Sequence, residues 1–177
     1  MFLSILKKRR SIRKFHEKPV DPEKVDQLVE AALRSPSSGG KNPWEFVVVT
    51  EPSIIQQLSK SKAHGSSWMR NAPLAFVVCG DPETSDVWIE DTSIATTIIH
   101  LAAASMGLGS CWIQIRQRAH NDAKSAETYI QELLNIPSRL KILTMIAIGY
   151  PDEEKAGHPK SELFFDKVSY NGYGKKN

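Results

Sequence analysis

Metal-site and disulfide patterns are missing from this chain. It has two cysteines in 177 residues, Cys79 in an apolar run and Cys111 in "GSCW". They form no CxxC pair, and no Cys/His cluster has metal-ligand spacing. This leaves two reduced, buried thiols in a cytosolic protein as the reading. Long apolar runs are also absent. No stretch approaches the ~18 residues needed to span a bilayer. The start, "MFLSILKKRR", puts its apolar residues before its charges, the reverse of a secretory signal. A cytoplasmic protein without membrane contact is therefore expected. Nor is there a large excess of one charge. Lys and Arg number 23 against 20 Asp and Glu, a formal charge of +3. The excess is local, in "KKRRSIRK", and lacks the interleaved aromatics of a single-strand nucleic-acid binder. No nucleic acid is expected as a partner.

The familiar catalytic and nucleotide motifs are missing too. "GLGSCW" follows a helical pattern and opens a strand pattern, so it is not a GxGxxG dinucleotide turn. There is no GxxxxGK[ST] loop and no GxSxG elbow. None of the five histidines has a spacing that suggests a triad or metal site. A cofactor that carries its own chemistry suits such a chain better than acid/base or nucleophilic side chains.

What is present is an ordered run of elements. Phe2, Leu3, Ile5 and Leu6 share one side of a short first helix, and "IRKFHEKPV" reads as extended. Asp21 before Pro22 is an N-cap with proline at the first helical position. Val25, Leu28, Val29 and Ala32 then give an amphipathic helix, stopped by "SPSSGG". "WEFVVVT" reads as a buried strand, "SIIQQLSKS" as a helix, "KAHGSSWMRNAP" as a loop and "LAFVVCGD" as a second strand. "DTSIATTIIHLAAASMG" is a helix apolar almost all round, which belongs in a core or at a subunit interface, with Gly107 as its stop. His100 within it reads as a hydrogen-bonded core or interface residue. "SCWIQI" is a third strand, "SAETYIQELLN" a helix and "ILTMIAIGY" a fourth strand. The tail from Pro151 has little periodicity, and its "ELFFDKVSY" could pair at a sheet edge or wrap a partner. The length suits one domain with its own core, residues 1–177. Alternating strands and helices suggest a three-layer α/β protein, without fixing strand direction.

Five segments in order carry something more specific: "RRSIRKF", "SPSSGGKNPWEFVVV", "APLAFVVCGD", "DTSIATTIIHLAAASMGLGSCWI" and "IAIGYPDEE". Together they resemble the FMN-dependent nitroreductase family over nearly the whole chain. The resemblance implies an α+β fold with a central, mostly antiparallel sheet flanked by helices, and a C-terminal tail wrapping the partner subunit. It implies a homodimer with FMN at the interface, reduced by NADH or NADPH in a ping-pong cycle, and a small-molecule acceptor such as a nitroaromatic or quinone.

The same resemblance assigns residues. Arg9, Arg10 and Ser11 match positions holding the FMN phosphate and ribityl end, a task suited to the planar guanidinium fork. Arg13 matches a position at the pyrimidine edge of the flavin, where positive charge favours the reduced, anionic ring. No dedicated catalytic side chain is implied. Pro36, Ser37, Ser38 and Asn42 match the segment that reaches the flavin of the other subunit. Trp112, Ile113 and Gln114 match positions whose backbone approaches the ring. Lys160 matches a cation closing on the phosphate, with His158 as a possible substitute, while Glu162 stands where a second cation is often found. Trp68 and Trp88 are open between pocket lining and core. The short segment from Asp81 to Asp91 implies a minimal member with an open pocket. Reductive dehalogenation, flavin fragmentation and a non-enzymatic flavin-binding redox protein stay open as alternatives.

Overall fold

A computed structural model describes residues 2–176. Its centre is a four-stranded sheet of β1 (Trp44–Val49), β2 (Leu74–Gly80), β3 (Gly109–Gln114) and β4 (Lys141–Gly149). The strand order is β1-β2-β4-β3, and every neighbouring pair is antiparallel. Five helices flank it: α1 (Phe2–Lys8), α2 (Pro22–Leu33), α3 (Pro52–Leu58), α4 (Trp88–Ser105) and α5 (Ala126–Leu134). The architecture is α+β, so the parallel sheet that alternation would allow does not form.

The period of two along β2 explains the layering. Leu74, Phe76 and Val78 point to one face, where Leu28 of α2 and Ile99 and Ala103 of α4 complete a core. Ala75, Val77 and Cys79 point to the other, against Ile55 of α3 and Ile130 of α5. Strands buried on both faces read as continuous apolar runs, and β2 is buried at every position. β1 departs from the expected buried strand. It lies at the sheet's edge, only Val49 is buried, and Val48 is 37% exposed.

Local chemistry sets the boundaries. Proline occupies the first position of α2 and of α3, and Ser125 caps α5 by accepting from the Thr128 N–H at 3.0 Å. Asp21 sits at the N-cap of α2, but its carboxylate makes no cap bond. It accepts from the Tyr150 hydroxyl at 2.6 Å instead. α4 begins three residues earlier than the apolar pattern suggested, at Trp88. It ends where Gly107 takes φ 75° and the Leu108 N–H donates to the Ala103 carbonyl at 2.9 Å. The loop after α3 contains a 3-10 turn at Ser67–Asn71. In the tail, "ELFFDKVSY" forms no strand among the described residues. Its regular structure is two 3-10 turns, Lys160–Glu162 and Phe165–Lys167.

Candidate functional site

The basic motif follows α1 directly, and three contacts fix its course. The Arg9 N–H closes the helix on the Ile5 carbonyl, and the Ile12 N–H donates to the Ser110 carbonyl at 3.0 Å. Ser11 and Ser110 form a parallel bridge at the start of β3. Gly109 makes this approach possible, because a Cβ there would lie 2.8 Å from the Ile12 side chain. The segment then leaves β3. Phe15 bridges Pro151, and the His16 N–H donates to the Tyr150 carbonyl at 3.0 Å. Ile12 and Phe15 are buried, so the motif is anchored by apolar side chains between its cations.

A cleft of about 480 Å³ opens where α1, the start of β3 and the chain after β4 meet. Lys8, Arg9, Arg10 and Lys155 line it, with Glu153 and Glu154. Glu153 is already committed. Its Oε1 accepts from the Arg13 N–H at 2.5 Å, the Lys14 N–H at 3.3 Å and Lys155 Nζ at 2.9 Å. The Arg13 backbone bond, more than the Lys155 charge, holds its carboxyl below the usual glutamate range. Lys155 Nζ also donates to the Ser11 carbonyl at 3.0 Å, and Arg10 Nη1 donates to the Ala156 carbonyl. With Glu153 so engaged, the cationic excess is left to face an anion.

β3 is the other edge of the sheet, and it is only briefly covered. Ser110 turns its carbonyl outward to Ile12. By the two-residue period, Trp112 and Gln114 turn their backbone groups the same way, beyond the point where the N-terminal segment departs. At about 3.4 Å per residue, Gln114 lies about 14 Å along the strand from Ser110. The Trp112 indole donates to Gln114 Oε1 at 3.0 Å, and Gln114 Nε2 donates to the Arg116 carbonyl at 3.1 Å. Ile113, expected to offer its backbone to the ring, is instead buried toward α5, and its carbonyl accepts from Thr144 Oγ1 at 2.8 Å within the sheet. A phosphate-bearing, elongated ligand could thus place its anion in the cleft and lie along the part of the β3 edge that no strand covers.

The remaining sequence candidates fall elsewhere. Arg13 is exposed, its guanidinium 5.7 Å from the Trp68 ring centroid. Pro36, Ser37, Ser38 and Asn42 form a separate loop at the start of α4. Ser37 Oγ accepts from the Asn42 N–H at 2.8 Å, and the Ser38 N–H donates to Asp91 Oδ1 at 2.9 Å. Asp91 is 3% exposed and is a residue that sequence reasoning missed. Its signal was an acidic residue in the first turn of an apolar helix. Lys160 does not line the cleft. Its ammonium lies 5.9 Å from the Phe165 ring, and His158 Nδ1 is 3.0 Å from Glu162 Oε2. Trp88 is buried. Lys8 was read only as part of the basic run, and Glu153 and Lys155 were missed because only the course of the chain brings them to it.

Behind the cleft, His100 Nδ1 lies 2.7 Å from Ser110 Oγ, and both residues are buried. Burial, and then the charge of Arg9, pushes the imidazole down to about 4, so it is neutral at pH 7. Burial likewise pushes the Cys79 thiol up to about 12. Cys111 is also raised, mainly by burial. Neither cysteine is set up as a nucleophile.

The comparisons agree on one family. A sequence profile described as "Nitroreductase family" matches residues 6–66 and 56–150. A solved structure titled "FMN-dependent Nitroreductase", from Clostridium difficile R20291, is 46% identical. It superposes with a TM-score of 0.95 over 97% of this chain and 99% of that one. An Archaeoglobus fulgidus protein, provisionally named NADH dehydrogenase/NAD(P)H nitroreductase, is 32% identical over 92% of each chain. The protein named FMN reductase [NAD(P)H] from Bacillus subtilis is 26% identical, covering 85% of this chain and 66% of that one.

Proposed function

This chain belongs to the nitroreductase family, and from that premise we propose that it is an FMN-dependent oxidoreductase passing electrons from NADH or NADPH to an electron-poor small molecule. The observation that carries the reading is the cationic cleft at the start of β3, continuous with an uncovered strand edge. FMN, when bound, supplies two-electron transfer between the nicotinamide donor and an acceptor such as a nitroaromatic or quinone, in a ping-pong cycle.

The chain's own residues bind and orient. Arg9 and Arg10 hold the phosphate, with Ser11 at the ribityl end. Charge-assisted bonds of this kind are the strong ones. The outward backbone of Trp112 and Gln114 supplies donors and acceptors to the ring. Ile113 packs the strand to the core and keeps that edge rigid. Arg13 puts positive charge at the pyrimidine edge, where negative charge builds only on reduction. Pro36, Ser37, Ser38 and Asn42 serve the flavin of the neighbouring subunit. Lys160 closes on a phosphate once the tail is packed. Lys155 is added to this set by its place at the cleft. The protein contributes orientation and electrostatics rather than a proton-transfer residue.

We propose a cytoplasmic homodimer, each chain a single unit over residues 1–177, with no nucleic-acid or membrane partner. No helix among the described residues is long and apolar enough to cross a membrane. Support for the dimer comes from apolar surface without a same-chain cover. Ile94 on α4 is 41% exposed, and Leu163, Phe164 and Phe165 in the tail are 50%, 68% and 58% exposed. In this reading the tail wraps the second subunit.

The test is direct. Purified protein should be yellow, acid should release FMN, and NADH or NADPH should bleach it anaerobically, with colour returning on addition of a quinone. A colourless protein that takes up no FMN removes the proposal. A yellow protein that neither nucleotide bleaches would be a flavin-binding protein without this activity.

A further inference from the structure

His100 is a buried titratable group beside the cleft that the proposed function leaves unused. It projects from α4 toward β3, and its Nδ1 meets Ser110 Oγ at 2.7 Å. Ser110 lines the cleft with Arg9 and Arg10. Its own backbone carbonyl is taken by Ile12. The hydroxyl is therefore the group that Ser110 has left to offer, and its polarity depends on the histidine.

A neutral imidazole has one N–H and one bare nitrogen. One hydrogen bond joins Nδ1 and Oγ, and which atom donates depends on the ring tautomer. If Nε2 carries the ring proton, Ser110 donates to Nδ1 and turns lone pairs toward the cleft, which an anion disfavours. If Nδ1 carries it, the ring donates to Ser110 Oγ and the serine O–H is free to donate into the cleft. Arg9 is near enough for its charge to oppose protonation of the ring, so the neutral pair with its choice of two arrangements is the working state.

Resting on the phosphate reading of the cleft, we propose that His100 is a positioning residue whose Nδ1–H tautomer turns Ser110 into a neutral hydrogen-bond donor for the bound phosphate beside Arg9. The pair adds a short donor where a third long cation would have to be desolvated. It costs no net charge, and its proton moves only between the two ring nitrogens, through solvent exchange, when the anion enters.

Three variants of the full chain test this: Ser110→Ala, His100→Leu and His100→Asn. FMN and riboflavin, which lacks the phosphate, are titrated into each, and thermal melting checks folding. Loss of one hydrogen bond to a charged group corresponds to about a tenfold or greater rise in FMN dissociation constant. That rise is expected for Ser110→Ala and His100→Leu, with riboflavin binding unchanged. His100→Asn should recover most of the affinity, because its amide N–H can occupy the place of Nδ1–H. Nitrogen NMR of the His100 ring with FMN bound should show the Nδ1–H tautomer. Unchanged FMN affinity in the first two variants overturns the inference. So do equal losses for FMN and riboflavin, or an Nε2–H tautomer in the complex. A wild-type protein that binds FMN no better than riboflavin removes the phosphate reading itself, and this inference with it.

Discussion

The stretches Arg9–Phe15 and Lys160–Tyr173 look alike in sequence. Each mixes cations with bulky apolar residues, and the family resemblance assigns flavin contacts to Arg9, Arg10, Ser11 and Arg13 in the first and to Lys160 in the second. In the structure they differ completely. The first buries Ile12 and Phe15 to 8% and 5% exposure and bonds to β3 and to the chain after β4. The second leaves Phe164 at 68% and Tyr173 at 103%, and its backbone bonds are local, such as the Leu163 N–H to the Lys160 carbonyl. A cation is held in place by its apolar neighbours. Where those neighbours find a core in the same chain, Arg9 and Arg10 reach a cleft. Where they do not, Lys160 stays at the surface until something covers the tail.

The sharpest way to break this contrast is to remove the tail. Truncation after Pro159 should abolish the dimer and FMN retention together, while the four-stranded core still melts cooperatively. Sedimentation and flavin absorbance read both. A truncated chain that stays dimeric and yellow would mean that the tail's exposed aromatics serve neither role.

A smaller effect tests the interior behind the first segment. The His100 ring is lowered from 6.5 to about 4 in the folded protein. Between those values the unfolded chain binds the extra proton, so stability is full above pH 6.5, falls as pH drops and levels off below about 4. The loss is about 3 kcal/mol at most. Urea unfolding of the flavin-free protein should show it, and His100→Asn should remove that part of the acid dependence. An unchanged acid dependence in the variant would place the burden on other groups.

Next comes a paired substitution. Arg9→Ala removes a cleft cation and should raise the FMN dissociation constant by about one to two orders of magnitude, from the roughly 1.5–3 kcal/mol of a charged hydrogen bond. Lys160→Ala should cost less, about 1 kcal/mol, because its ammonium reaches the phosphate from the tail and stays partly screened by solvent. Equal losses would erase the distinction between the segments. The smallest binding effect is expected from Arg13→Ala. It should leave oxidised FMN nearly as tightly held while lowering the flavin potential, which anaerobic redox titration measures. Loss of binding without a potential shift would make the motif one undivided phosphate clamp.

Much of this was legible in the sequence because it rests on local signals. Proline placed the start of α2, Gly107 the end of α4, and apolar period the buried face of α2. Strand direction was not legible in the alternation of elements; it came from the family resemblance, whose mostly antiparallel sheet the structure bears out. The exposure of β1 was hidden because an edge strand and a central strand can both read "WEFVVV". In the site, Arg9 and Arg10 stood out as a dense cationic motif. Lys155, Ser110 and Asp91 did not, because each gains its meaning from a partner more than 9 residues away, supplied only by the fold.

The measurement that bears most directly on the account is a comparison of FMN with riboflavin, titrated into flavin-free wild-type protein and into Arg9→Ala. The two ligands share the ring and differ in the phosphate. If the cleft is the phosphate site, FMN should bind at least about 100-fold more tightly than riboflavin to the wild type, and Arg9→Ala should close most of that gap without weakening riboflavin. Equal affinity of the wild type for both ligands, or a gap that Arg9→Ala leaves intact, would contradict it.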